Sequence, residues 1–448
     1  MDAKTLSRKL RITRVGILEE HEHSHKDEDM LSVEDARERI LGFFKVLDAE
    51  TKPVLEALGQ VLAESILGRF DIPYLDNSAM DGYAINSDSV TGASRTSPVT
   101  LQVIGSIAAG QLPRDQVTQG TAVRIMTGAP IPNGANAVVP FEDTDETEHK
   151  SSGKKPDKIT VYLDVAPNTH IRPAGQDIKK GKNVLEMGTV LGPAEIGVLV
   201  SLGYNNVKVI RRPVVAILST GDELINPTET YQPGKTYDSN SYCLFASVVS
   251  AGGVPMMLGI AKDNLNSLGL QLKNGLKSDL LITSAGVSKG DYDIVKDALS
   301  QNGKIEFWAV RMRPAKPLAF GILNAPDGKN VPHLGLPGNP VSALVAFEQF
   351  GRHAIFKMLG KGNAARPIIK ATLEESIYNP DRRRVYARVI VTRRNDVFYA
   401  KLTGHQGSNL LTSMARANGL AVCPEDLPVK EAGETVDVQM LDWPDVNS

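Results

Sequence analysis

Three short segments join glycine, hydroxyl side chains and acids directly after apolar runs. They are Ser219-Thr220-Gly221-Asp222-Glu223, the loop from Ser284-Ala285-Gly286 through Gly290-Asp291-Tyr292-Asp293, and Leu336-Pro337-Gly338-Asn339-Pro340-Val341-Ser342. Glycine lets a ligand approach bare backbone N–H groups, and a helix that starts after the loop adds a dipole favouring an anion. Such loops suit phosphate, yet two of them carry carboxylates, which repel it. A hard cation between the two resolves the conflict. Mg²⁺ prefers oxygen, keeps several waters and bridges one or two carboxylates to substrate phosphates. Glu223 and Asp293 are the leading metal ligands on this reading, with Asp263 and Asp238 behind them. The alternative for Asp238 and Asp291 is that they cap turns or helices. A fourth segment, Tyr237-Asp238-Ser239-Asn240-Ser241, opens a helix and adds neutral hydrogen-bonding groups.

A second cluster is basic. Arg311, Arg313 and Lys316 lie in RMRPAKPLAFG, a Pro-rich loop of limited freedom. A rigid basic cluster suits a compact oxyanion; a solvated basic turn is the other reading.

The elements that must position these groups begin at Pro213, where strand and helix patterns alternate: PVVAILSTGDEL, YCLFASVVSAGG, VPMMLGIAKD, LNSLGLQLKNGL, DLLITSAG, YDIVKDALSQNG and HLGLPGNPVSALVAFEQF. Alternation of this kind predicts a mainly parallel α/β sheet covered on both faces, with ligands outside the carboxyl ends of its strands. Upstream, SVEDARERILGFF and LEALGQVLAESIL (residues 55–67) have helical spacing, the first with a Ser cap. Short β runs separated by Gly, Pro and Asn occupy residues 99–165, and PAEIGVLVSLG returns to helix. After Ala365 the texture is β again. Residues before Leu31 read as a polar tail, in which His21, His23 and His25 alternate with other polar residues.

At 448 residues the chain exceeds one ordinary core, and its net charge of -2 gives no field for nucleic acid or a membrane surface. The two cysteines, Cys243 and Cys423, lack metal spacing, and no apolar run is long enough for a signal peptide or a bilayer span. The expectation is a cytoplasmic protein without nucleic-acid or membrane partners.

Six groups of motifs, in order, carry a resemblance to a known family. They are Asp76-Asn77-Ser78-Ala79-Met80-Asp81-Gly82-Tyr83-Ala84; Arg124-Ile125-Met126-Thr127-Gly128-Ala129 with Pro132-Asn133-Gly134-Ala135-Asn136-Ala137-Val138-Val139; Ile171-Arg172-Pro173-Ala174-Gly175-Gln176-Asp177; Thr220-Gly221-Asp222-Glu223-Leu224; the two later loops above; and Gly404-His405-Gln406-Gly407-Ser408. From about Leu31 to about Leu441 the chain resembles the molybdopterin molybdenumtransferases, relatives of the E domain of gephyrin.

The resemblance implies a multidomain α/β plus β protein. After a tail (1–30) come a discontinuous helical or extended linker domain (31–80 and 168–204) and a small inserted β domain (81–167). A mainly parallel α/β molybdopterin-binding domain (205–362) and a C-terminal β domain (363–448) follow. It implies insertion of molybdate into adenylylated molybdopterin with Mg²⁺, yielding molybdenum cofactor and AMP. It implies a homodimer in which Asp81 and Thr127 complete a neighbour's site. By the same carry-over Glu223, Asp263 and Asp293 are the functional acids. Arg313, Lys316 and Ser408 hold molybdate. Ser284, Gly286, Gly338, Asn339 and Ser342 line the pterin-nucleotide pocket, beside Asp238 and Asn240. Further partners are the molybdopterin-adenylylating protein and downstream molybdoenzyme chaperones. Two other readings stay open: molybdopterin adenylylation, and a non-catalytic cofactor carrier or scaffold. The chain departs from the family's Lys-Pro-Gly-Lys-Pro with Arg313-Pro314-Ala315-Lys316-Pro317, and from its paired glycines with Ala285-Gly286. An alanine is harmless there unless the backbone needs a positive φ.

Overall fold

The computed structural model describes residues 30–146, 148, 156–262, 264–285, 303–326 and 328–443. Its first helix, α1 (Val33–Leu41), starts where Ser32 Oγ accepts a hydrogen bond from the Asp35 N–H at 2.9 Å. The stripe Val33, Ala36 and Ile40 is buried, and with Phe44 it packs against Val310, Phe320 and Phe350. This helix therefore belongs by packing to the α/β block, not to the rest of 31–80.

Residues 55–67 do not form the expected helix. One 3₁₀ turn, Val54–Ala57, ends before Gly59, whose φ of +77° leaves the helical region. The chain then runs extended: Val61 bridges Val190, Leu62 bridges Val209, and Ile66–Leu67 pairs with Asn183–Leu185. Val54, Leu62 and Ile66 enter a core with Leu191, Leu199 and Val207, while Leu55 and Leu58 stay exposed. Tertiary pairing here overrides helical spacing.

The inserted unit is a five-stranded sheet in the order Ala137–Pro140, Gly82–Ile85, Thr121–Ile125, Val99–Ile107, Lys158–Val161. A side chain at Gly82 would place its Cβ 2.0 Å from the Val139 carbonyl oxygen, so only glycine fits beside that strand. Inside it, buried Glu146 accepts from Tyr83 Oη at 2.6 Å and from both Nε and Nη2 of Arg124. All three polar groups are thereby satisfied.

The α/β block alternates as the sequence predicts: β1 (Val214–Thr220), α2 (Ser239–Ala251), β2 (Val254–Ala261), α3 (Leu265–Gly275) and β3 (Leu280–Ser284). The expected helix from Tyr292 lies outside the described residues. The order continues with β4 (Gly303–Ala309), β5 (Pro317–Asn324), β6 (Asn330–Leu336) and α4 (Pro340–Ala346). The sheet runs β2-β1-β3-β6-β5-β4. The first three pairings are parallel and the last two antiparallel, so β5 alone runs against the other five strands; the sheet is mainly parallel, with a reversed strand next to its edge that the sequence did not announce. At the joint with the linker region, Arg211 donates to both oxygens of Asp279 at 2.7 and 2.8 Å. Burial pulls the Asp279 carboxyl upward, but Arg211, the Val214 N–H and Lys329 outweigh it and hold it below the ordinary aspartate value.

The last region closes on itself. Arg384–Arg394, Val397–Leu402, Ile368–Leu373, Thr435–Met440 and Gly419–Cys423 pair in sequence, and the last returns to the first, giving a closed barrel without a free edge. The short strand Met312–Arg313 adds to it in parallel at Arg384–Val385, which ties the basic loop of the α/β block to the barrel. No helix among the described residues is long and apolar enough to cross a membrane.

Candidate active site

The carboxyl ends of β1, β3 and β6 open into a cleft of about 360 Å³ lined by Glu223, Asn240, Ser284, Ala285, Gly338 and Asn409, among others. Its floor is fixed by one side chain. Asn240, in the first turn of α2, donates from Nδ2 to Ser284 Oγ at 2.8 Å and to the Gly338 carbonyl at 2.6 Å. It thus ties the loops after β3 and β6 to the start of α2. Ser219 also lines the cleft, fully buried, and its Oγ has no hydrogen-bond partner among the described residues.

Asp238 has a structural task. Its carboxylate accepts from the Ser241 N–H at 3.1 Å and from Ser241 Oγ at 2.6 Å, so it is the cap of α2. Both oxygens are engaged, which makes it a poor metal ligand as it stands. Glu223 differs. It is exposed at the cleft, and no hydrogen bond or ion pair engages its carboxylate among the described residues. Gly221, at φ +148°, makes room for it: a Cβ there would lie 2.6 Å from Glu223 Oε2. Asp263, Gly286 and Asp293 lie outside the described residues, among which no three His, Cys, Asp or Glu side chains gather. Glu223 alone is compatible with Mg²⁺, which needs only one or two carboxylates when phosphates supply the rest.

The loop from Gly404 to Ser408 is tied to the turn after β6 at its Ser408 end, and its Gln406 lines a second pocket. Asn339 Nδ2 donates to Ser408 Oγ at 3.0 Å, and the Val341 N–H donates to the Ser408 carbonyl at 3.1 Å. Ser342 is buried in the first turn of α4. Arg313, Pro314 and Arg388 line that pocket with Gln406, around a space of about 190 Å³. Lys316 stands at the other end of the same short loop, where its carbonyl accepts from the Val310 N–H at 2.8 Å.

Arg388 is the residue that the sequence reading missed. It is only 1 % exposed, yet it forms no ion pair among the described residues. Its guanidinium donates to Ser413 Oγ at 3.1 Å and to the carbonyls of Gly407 at 3.0 Å and His405 at 3.4 Å. Burial, then the nearby charge of Arg313, pushes its ionisation down to about 10, so it remains cationic at neutral pH. A buried cation facing only neutral acceptors and another cation is poised for an anion. The signal was available in parity. In RVYARVIV, Val385, Ala387 and Val389 fill the barrel core, so Tyr386 and Arg388 share the opposite face, where Tyr386 is buried against the α/β block. An arginine at a buried position of a strand calls for a partner.

Both alanine departures stand where glycine would be expected. Ala285 has φ +78° and Ala315 φ +76°. The condition under which a methyl group is harmful is therefore met at both positions. The left-handed region costs a non-glycine residue roughly 1–2 kcal/mol, offset in part by the lower chain entropy of alanine when unfolded. Ala285→Gly and Ala315→Gly are each expected to stabilise the protein by about 0.5–1 kcal/mol, read as a higher urea midpoint at unchanged slope.

Asp81 and Thr127 come together in the inserted sheet: Asp81 Oδ1 accepts from the Thr127 N–H at 2.7 Å and from Thr127 Oγ at 2.8 Å. Neither is among the residues lining the cleft of the same chain.

Comparison with known proteins agrees with this architecture throughout. Residues 31–203 match the family model of the MoeA N-terminal region (domain I and II), 216–357 that of a probable molybdopterin binding domain, and 370–441 that of the MoeA C-terminal region (domain IV). Molybdopterin molybdenumtransferase 2 of Mycobacterium tuberculosis is 35% identical over 416 residues, covering 91% of this chain and 99% of its own. The molybdopterin molybdenumtransferase of a Nostoc species is 34% identical, covering 93% and 95%. Among solved structures, the molybdopterin biosynthesis moeA protein of Pyrococcus horikoshii matches with a TM-score of 0.75 at 30% identity, covering 92% of this chain and 100% of that one.

Proposed function

The chain belongs to the molybdopterin molybdenumtransferase family and inserts molybdenum into molybdopterin, and we propose that it does so from molybdate and adenylylated molybdopterin, with Mg²⁺, releasing AMP. The observation that carries this reading is a pair of sites, one at the strand ends and one where the basic loop docks on the barrel. One is a cleft with neutral donors at the strand ends. The other is a pocket holding Arg313 and Arg388, neither of which forms an ion pair among the described residues.

On this reading the pterin nucleotide lies along the cleft. Asn240 fixes the distance between the Ser284 and Gly338 loops, and the exposed backbone at Gly338 accepts the close approach of the ligand. Glu223, together with Asp293 and Asp263, would hold Mg²⁺, which supplies charge neutralisation at the phosphoanhydride when bound. Arg313, Lys316 and Arg388 bind the molybdate dianion, and Ser408 orients one of its oxygens from the loop. The guanidinium of Arg388 stays fixed through the reaction because three neutral acceptors hold it. Preorganised charge of this kind needs no reorganisation when the anhydride breaks and AMP leaves.

We place the reaction in the cytoplasm and in a homodimer, whose inserted sheet brings Asp81 and Thr127 to the partner's cleft. Glu223→Gln and Asp81→Ala proteins, each expected to be inactive alone, then complement when mixed and allowed to exchange subunits. Roughly a quarter of wild-type turnover is expected, because half the dimers are mixed and each of those holds one intact site. No recovery would argue for a site complete within one chain. Adenylylation is separated from insertion by supplying ATP and molybdopterin alone: pyrophosphate release is expected to be absent, and its appearance would overturn the insertion reading.

A further inference from the structure

The cleft at the strand ends has an uneven chemistry. Among the described residues that line it there is no lysine, arginine or histidine. Of its two carboxylates, Asp238 caps α2 and Glu223 is the proposed metal ligand. The rest of this lining is hydroxyl, amide, aliphatic and backbone groups, with one aromatic side chain, Tyr237. A phosphate gains little from such a surface unless a cation accompanies it. A flat, neutral ring with hydrogen-bonding edges fits it better: apolar walls take the faces of the ring, and a few placed polar groups take its edge.

Ser219 supplies a polar group that the free protein leaves unused. It stands in β1 opposite Ser284 of β3, and both are buried. The Ser284 hydroxyl accepts from Asn240 Nδ2, whereas Ser219 Oγ has no partner among the described residues. A hydroxyl that is dry and unpaired lowers stability, and alanine would remove that cost in nearly the same space. Ser219 lines the cleft, and its hydroxyl can both donate and accept there.

Tyr237 is held in place before any ligand arrives. The two-residue strand Thr236–Tyr237 pairs in parallel with Leu224–Ile225. Its neighbours fix it further: the Thr236 N–H donates to the Glu223 carbonyl at 2.8 Å and the Asp238 N–H to the Ile225 carbonyl at 3.0 Å. The Tyr237 hydroxyl donates to the Glu229 carbonyl at 3.1 Å, and Tyr231 lies against the ring at a centroid distance of 6.3 Å. Despite these ties Tyr237 stays 39 % exposed. An aromatic ring already ordered and still open on one side loses little freedom when a second ring stacks on it.

We propose that this cleft seats a planar nitrogen heterocycle, with Tyr237 stacked on its face and the Ser219 hydroxyl bonded to its edge. The inference rests on the functional reading above, in which the ligand carries two such rings, a pterin and an adenine. Tyr237 and Ser219 then act by holding one ring, while the backbone bond from Thr236 to Glu223 ties that seat to the carboxylate proposed for the metal.

The test is calorimetric binding of adenylylated molybdopterin, AMP and molybdopterin to the full-length protein, without molybdate so that nothing turns over. Tyr237→Leu is expected to weaken adenylylated molybdopterin about tenfold or more, the scale of one lost ring stack. Tyr237→Phe keeps the ring and should stay within about twofold of wild type. Ser219→Ala should bind about three- to tenfold more weakly, yet unfold at a higher urea midpoint when free, because it sheds an unpaired hydroxyl. The fragments identify the ring: the Tyr237→Leu loss carried over to AMP alone assigns adenine, and carried over to molybdopterin alone assigns the pterin. Wild-type affinity for adenylylated molybdopterin in either Tyr237→Leu or Ser219→Ala would overturn the proposal and leave the functional reading intact. So would an equal loss with both fragments in Tyr237→Leu, which would make Tyr237 a brace for its own loop. A wild-type protein that does not bind adenylylated molybdopterin at all would overturn the functional reading together with the proposal.

Discussion

Replacing Arg388 with methionine should lower molybdate-dependent turnover by about 10²–10³-fold at subsaturating molybdate, the range found when one preorganised charge-stabilising donor is removed. The fold should survive. Methionine fills much of the same space, and the substitution relieves a buried cation that no carboxylate balances among the described residues. Against this stand three lost hydrogen bonds, to Ser413, Gly407 and His405. These opposing effects should keep the change in unfolding free energy within about 2 kcal/mol. Arg388→Lys separates charge from geometry. It retains the cation but loses the planar fork that reaches two carbonyls and a hydroxyl at once, so intermediate turnover is expected. Initial rates across a molybdate titration provide the check, since the loss should appear largely in the molybdate dependence. Wild-type rates in Arg388→Met would remove Arg388 from the oxyanion seat and leave it a structural clamp on the 404–408 loop.

The second large effect is at Glu223. Glu223→Gln keeps shape and volume and removes the charge. The side chain is exposed and has no protein partner among the described residues, so stability should change by less than about 0.5 kcal/mol, as at other free surface positions. If Glu223 holds Mg²⁺ as proposed, AMP release should fall by at least about 10²-fold, since the ion would no longer be anchored to neutralise the developing phosphate charge. Raising Mg²⁺ should recover part of that loss if Asp293 still holds the ion. Near-normal turnover with normal Mg²⁺ dependence would refute the metal role.

The loops at the strand ends were legible in the sequence because their signals are local. A β-branched run, a glycine and a helix start fall within a dozen residues, and the parallel sheet then places Glu223, Ser284 and Gly338 at one cleft. The spacing of residues 55–67 misled for a local reason as well: a helical pattern says nothing of the left-handed Gly59 in its midst. Arg388 was hidden by distance. Arg313 lies 75 positions earlier in the chain, and the two meet only because a two-residue strand docks the basic loop on the barrel. Asp238 was ambiguous, because a cap and a ligand ask for the same residue type; only its bonds to Ser241 decide. The strain at Ala285 and Ala315 required the backbone itself.

The most direct test of the account is AMP release from adenylylated molybdopterin by the wild-type protein in Mg²⁺ buffer, with and without molybdate. Release that depends on molybdate and is accompanied by active molybdenum cofactor is expected. A folded protein that binds the nucleotide yet releases no AMP in either condition would contradict it, leaving a carrier whose cleft holds the cofactor without making it.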